Sequence, residues 1–201
     1  MNILIVTPTE RENANMLAAL GRAASTRNTY TVILSGIGKA AAAANTAAAI
    51  ARAEKPFDTI AVIGFAAGTL GFRQGEIVMP NTARYHDCDI PDGFIPELTD
   101  PFALGGKDGI TVFTGDSFVN AGSVREIKKH FGTERAIFDM EITAVVIAAN
   151  ELGGVPVVAV KMISDVPEDG HTEHSYDEFA DSHSDFSEIL ARLEELSGKL
   201  N

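Results

Sequence analysis

Short apolar runs alternate with stretches of helical period along most of this 201-residue chain, and no other feature constrains the fold as much. Ile3 to Val6 is an apolar run closed by Thr7-Pro8-Thr9. From Glu10 onward apolar residues recur at helical spacing through Met16, Leu17 and Leu20, with Thr9 as the N-cap. Tyr30 to Leu34 reads as a second strand, closed by Ser35-Gly36-Ile37-Gly38. Lys39 to Arg52 is an alanine-dominated helix, whose small side chains let it lie flat on a sheet. Thr59 to Ile63 reads as the next strand, ending in Gly64-Phe65-Ala66-Ala67-Gly68. Glu76 to Met79, Thr111 to Phe113 and Ala136 to Phe138 read as further strands, and Val155 to Ile163 as the most apolar one. Gly122 to His130 and Glu141 to Leu152 read as helices. Glu178 to Leu200 predicts one amphipathic C-terminal helix, with Phe179, Phe186, Ile189, Leu190 and Leu193 on or near one face.

This pattern predicts an α/β fold: a three-layer αβα sandwich with a central mixed sheet, in one domain spanning residues 1–201. In open sheets of this kind, ligands bind beyond the carboxyl ends of the strands. The informative polar residues do follow strands. Glu10 and Glu12 come after the first, Ser35 after the second, Asp139 and Glu141 after Phe138, and Ser164 and Asp165 after Ile163.

Charge narrows the ligand. Lys and Arg number 16 and Asp and Glu 28, a net charge of −12. Such a surface repels phosphate backbones and anionic membranes, so the expected partner is a small molecule, not nucleic acid or a lipid surface. Cys88 is the only cysteine, which rules out an intramolecular disulfide and a multi-cysteine zinc site. His86 and Asp87 are adjacent and have no obvious third ligand, so neither a metal nor another cofactor is expected. No basic region precedes the first apolar run, and no run reaches the roughly 18–20 residues of a membrane span. The expected setting is the cytoplasm.

Four segments carry candidate chemistry. In Ile163-Ser164-Asp165-Val166 an acid follows a long apolar strand, where partial desolvation would raise its pKa and favour the proton-donating form, or where it simply serves as an N-cap or turn aspartate. In Asp139-Met140-Glu141, Glu141 opens a helix. Its carboxylate can accept two hydroxyl hydrogen bonds, which suits a ribose diol, and Met140 is soft enough to cover a sugar face; equally, the two can be a first-turn glutamate and a core methionine. In Glu10-Arg11-Glu12 a carboxylate can activate water, or simply complement the helix dipole. Thr114 to Asn120 contains Phe118, which can stack on a base or belong to the core. Pro167 to His174 reads as a mobile polar loop, with His171 either reaching the site or, as the plainer reading, a solvated histidine.

Taken together, these segments resemble the purine nucleoside phosphorylase superfamily. They are most similar to its hydrolytic branch, the 5'-methylthioadenosine/S-adenosylhomocysteine nucleosidases. The similar stretches are Ser35 to Lys39, Gly64 to Gly68, Ala83 to Asp89, Thr114 to Asn120, Asp139 to Ala144 and Ile163 to Val166, in the family's order. The resemblance implies a nucleoside phosphorylase-like fold and cleavage of an N-glycosidic bond. It implies that Asp165 protonates the purine at N7, with Ser164 before it, and that Glu12 orients the attacking water. It implies that Glu141 grips the ribose hydroxyls beside Met140, Phe118 stacks on the base, Val119 offers backbone groups to the base edge, and Ala66 lies against the substrate. A homodimer and a place in methionine salvage are implied as well. Relatives often carry serine where Phe65 stands. They use a backbone donor where Pro167 has none, and they are longer across Pro91 to Gly109, where Ile90 to Phe94 would shape the 5' side or a subunit contact.

The alternatives are a phosphate-dependent phosphorylase, a futalosine hydrolase, a non-catalytic nucleoside-binding protein and an unrelated flavodoxin-like domain. Phosphorolysis calls for cations or a run of N–H donors. Near the first strand stand Glu10 and Glu12, and Arg11 and Lys39 are the candidate cations, so charge placement favours hydrolysis.

Overall fold

The computed structural model describes residues 1–88, 90 and 100–197. Strand β1 (Asn2–Thr7) leads into helix α1 (Glu10–Arg22), then β2 (Thr29–Leu34), α2 (Lys39–Arg52) and β3 (Thr59–Gly68). The short strands β4 (Ile77–Val78), β5 (Thr82–Tyr85) and β6 (Phe102–Ala103) precede β7 (Thr111–Thr114), α3 (Ala121–Phe131), β8 (Ala136–Asp139) and α4 (Ile142–Glu151). The chain continues through β9 (Val157–Asp165), a 3₁₀ turn at Pro167–Asp169, α5 (Glu173–Ser182) and α6 (Ser187–Ser197).

The strands form one mixed sheet in the order β2-β1-β3-β8-β7-β5-β6, with β9 paired to β3 and β4 to β9. β1 is buried on both faces, as a parallel central strand must be. Its alternate residues serve two different cores. Leu4 and Val6 pack with Ala42 of α2 and with Ile142, Val145 and Ala149 of α4. Ile3 and Ile5 pack with Met16 of α1, Phe179 of α5, Phe186 just before α6, and Ile189 and Leu193 of α6. A third cluster seats Val124 and Ile127 of α3 on Phe113 and Phe138. The expected three-layer arrangement of helices on both faces of a mixed sheet is therefore present.

Four local expectations need correction. β3 does not stop at Ile63 but runs to Gly68, because its last residues pair with β8 in the antiparallel sense. Ser164 and Asp165 are the last residues of β9 and do not follow it, since Asp165 still pairs with Ala67 of β3. The C-terminal segment is two helices: α5 ends at Ser182 with His183 as its C-cap, and Phe186 turns into the core before α6 begins. The stretch Pro167 to His174 is not an open loop, because it contains the 3₁₀ turn and the start of α5. Strands β5 and β6 were not expected. The region Pro91 to Phe94 lies outside the described residues.

One place in this sheet gathers three strand ends. Ala67 of β3 pairs with Phe138 of β8 on one side and Asp165 of β9 on the other. The register with β9 slips there, from Ala66↔Ile163 to Ala67↔Asp165, which leaves Ser164 as a bulged residue. Bulges re-aim side chains next to active sites, and the cleft of this protein opens at this junction.

Candidate active site

A cleft of about 610 Å³ lies over the junction. Glu12, Ala66, Phe118, Val119, Met140, Glu141, Ser164 and Asp165 all line it. Every residue singled out as catalytic or substrate-binding thus faces one space, although together they come from five separate parts of the chain.

Glu12 is held by both carboxylate oxygens. Oε2 accepts from the Thr9 main-chain N–H at 3.0 Å and from the Thr9 hydroxyl at 2.7 Å, while Oε1 accepts from the Phe65 N–H at 2.8 Å. Thr9 and Glu12 form the capping box of α1, worth about 1 kcal/mol for the cap alone. The same bonds that start the helix therefore fix a buried carboxylate (3% exposed) at the cleft wall.

Asp165 ends β9 on the other side. Burial pushes its carboxyl above the ordinary aspartate range, against the pull of the Ser164 hydroxyl. Ser164 Oγ lies 2.6 Å from Asp165 Oδ1 and 3.2 Å from the Ala66 carbonyl. A hydroxyl has one hydrogen to share between these two acceptors. When it goes to Ala66, a protonated Asp165 completes the short contact by donating to Oγ. The geometry thus accommodates an acid that keeps its proton.

Glu141 is the N-cap residue of α4 and is 4% exposed. Its Oε1 accepts from the Gly38 N–H at 3.0 Å. Burial, reinforced by Asp139, pushes its carboxyl up to about 8, against the Lys161 ammonium and the Gly38 bond. Met140 beside it is half-buried. Asp139 supports the helix start: Oδ1 accepts from the Thr114 hydroxyl at 2.7 Å and Oδ2 from the Ile142 N–H at 3.0 Å.

Lys161 was missed by sequence reasoning. It sits in the middle of β9 with 0% exposure, and its Nζ meets Asp139 Oδ2 at 3.4 Å as an ion pair without hydrogen-bond geometry. Burial would neutralise it, but Asp139, Glu141 and Glu12 outweigh burial and raise its pKa, so it stays an ammonium. A single lysine inside an otherwise apolar strand was the available signal, because a buried charge is retained only with partners.

Phe118 is 54% exposed and edges onto Tyr176 at 5.7 Å between ring centres, so it is not a core residue. Phe65 is. Its ring meets Tyr176, Phe179 and Phe186 edge-on, so this aromatic anchors α5 and the start of α6 to the sheet. His171 is not a solvated loop histidine, because its Nδ1 accepts the Val166 N–H at 2.9 Å.

Both candidate cations are already paired. Arg11, the only cation among the described residues lining the cleft, binds Asp181 at 2.7 Å. Lys39 bridges Asp87 at 2.9 Å and Asp116 at 3.3 Å. Asp87 is thereby committed to an ion pair. Among the described residues no group of three or more His, Cys, Asp or Glu is arranged for a metal, and no helix is long and apolar enough to cross a membrane.

Comparison with known proteins finds relatives in one family. The family model of the phosphorylase superfamily matches residues 107–196. A 5'-methylthioadenosine/S-adenosylhomocysteine nucleosidase of Haemophilus influenzae (strain PittEE) is 32% identical over 172 residues, covering 74% of this chain and 72% of that protein. The crystal structure of such a nucleosidase from Colwellia psychrerythraea 34H, in complex with adenine, is 26% identical. It superposes with a TM-score of 0.79 over 98% of this chain and 95% of that one. An S-adenosylhomocysteine nucleosidase from Streptococcus pyogenes, in complex with 5-methylthiotubericidin, shares the fold at 21% identity. Its TM-score is 0.80 over 100% of this chain and 98% of that one.

Proposed function

This chain belongs to the family of 5'-methylthioadenosine/S-adenosylhomocysteine nucleosidases, and from that premise we propose how its residues act and on what. The protein is an N-glycosidic bond hydrolase. Its proposed substrates are 5'-methylthioadenosine, S-adenosylhomocysteine or a nucleoside with a related 5' group.

In this reading the bond between C1' and the base breaks with its electron pair leaving on the base. Asp165 delivers a proton to N7, so the base departs neutral. Positive charge develops on the ribose, and the carboxylate of Glu12 stabilises it. Water held by Glu12 adds to C1' and gives up its proton to that carboxylate. Glu141 receives the ribose hydroxyls, Met140 covers the sugar, and Phe118 stacks on the base with Val119 at its edge. Ser164 steadies Asp165, and Ala66 forms the floor.

The observation that carries the reading is the separation of tasks between two buried acids in one cleft. Asp165 sits where burial favours its proton, and Glu12 sits where three donors hold its carboxylate. Water and not phosphate as nucleophile is supported by Arg11 and Lys39 both being committed to carboxylates. A binding protein would have no use for the two acids.

The same reading includes a single domain over residues 1–201, a homodimer, a cytoplasmic setting and a role in methionine salvage. The test is chromatographic detection of free base in phosphate-free buffer, with methylthioadenosine, S-adenosylhomocysteine, 5'-deoxyadenosine, inosine and futalosine as substrates. Adenine released from the thio-nucleosides is the expected result. Release that starts only when phosphate is added would make the protein a phosphorylase, and fastest release from futalosine would reassign the pocket.

A further inference from the structure

The backbone around Asp165 is held by side chains, because the sheet runs out there. Up to Ile163 the ladder is complete: its carbonyl accepts from the Gly75 N–H at 2.8 Å, and its N–H donates to the Glu76 carbonyl at 2.9 Å. At the bulge the pattern changes. The Ser164 carbonyl accepts from the side-chain Nε2 of Gln74 at 2.8 Å. One residue past Asp165, the Val166 N–H donates to Nδ1 of His171 at 2.9 Å. The Val166 carbonyl then receives the Asp169 N–H at 2.9 Å, which begins the 3₁₀ turn. The proton donor thus stands between two main-chain groups, each fastened by a side chain.

We infer that His171, together with Gln74, is a positioning residue for Asp165, its imidazole Nδ1 clamping the main chain just beyond the acid so that the carboxyl stays aimed into the cleft. The inference rests on the proposed role of Asp165 as proton donor. The chemistry is specific. Accepting from an N–H requires Nδ1 to be unprotonated, so the ring's hydrogen is on Nε2. Without an acceptor there, Val166 keeps a half-buried N–H with no partner, and the strand end is free to seek water. A small displacement of a donor costs far more in the transition state than in binding.

The experiment compares His171→Ala, His171→Asn and Gln74→Leu with the wild type, using 5'-methylthioadenosine in phosphate-free buffer. Asn carries an oxygen at the position of Nδ1 and restores the acceptor. His171→Ala and Gln74→Leu should lower kcat about tenfold to a hundredfold, with KM changed less than about twofold. His171→Asn should stay within about threefold of wild type. Hydrogen exchange read by NMR gives a second arm, with the Val166 amide protected in wild type and His171→Asn and exposed in His171→Ala. The clamp is wrong if His171→Ala keeps wild-type kcat, if the Asn variant falls as far as the Ala variant, or if the Val166 amide exchanges equally in all three. A wild type that releases no adenine overturns the nucleosidase reading instead, and the exchange arm still decides the clamp.

Discussion

Glu12 Oε1 accepts the main-chain N–H of Phe65 at 2.8 Å across the cleft floor, and this bond requires the residue before Phe65 to have no side chain. A Cβ on Gly64 would stand 2.2 Å from that same oxygen, at a φ of +151° that favours glycine. Gly64→Ala should therefore push Glu12 out of place without touching substrate. Activity is expected to fall by about a hundredfold or more, while the protein still melts cooperatively. Wild-type kcat in that variant would show that Glu12 does not need this position.

Asp165→Asn keeps the shape of the donor and removes its proton. Turnover should drop by about 10²- to 10⁴-fold, with adenine binding by calorimetry changed only severalfold. Wild-type turnover should decline as pH rises through the elevated Asp165 pKa, since the donor must be protonated. Equal losses in turnover and binding would place Asp165 in recognition instead.

Glu141 gives a stability prediction with a definite sign. Its carboxyl moves from 4.5 up to about 8 on folding. The unfolded chain releases this proton first as pH rises, so the contribution is complete below pH 4.5 and is lost by about pH 8. Glu141→Gln cannot ionise. It should flatten the melting profile across that window and melt a few degrees above wild type near pH 9. A gap between the two proteins that does not vary with pH would refute the shift.

Lys161 compensates the carboxylates beneath the cleft. Lys161→Met leaves them without a counter-charge and should cost about 3–5 kcal/mol near neutral pH. Part of the loss should return in acid, where protonation removes the uncompensated charge. Urea titrations at two pH values check this; the same loss at both would assign the cost to packing.

Local chemistry was legible in the chain from the start. Thr9 capping α1, the alanine-rich helix from Lys39 to Arg52, and the apolar run into Ser164 and Asp165 all follow from period and propensity, which act within a few residues. The alternation of strands and helices was enough for the three-layer arrangement, and polar residues at strand ends marked the side of the sheet where the cleft lies. The sequence by itself therefore determined the elements, their class of packing and the residue types available for chemistry. Tertiary structure alone decided the rest. That Lys161 faces Asp139, that Gly64 makes room for Glu12, and that His171 fastens the backbone beyond Asp165 are contacts between segments far apart in the chain or across a turn. Local propensity is blind to them, because each depends on strand order and register, and a shift of one residue in β9 would turn Asp165 to the opposite face of the sheet.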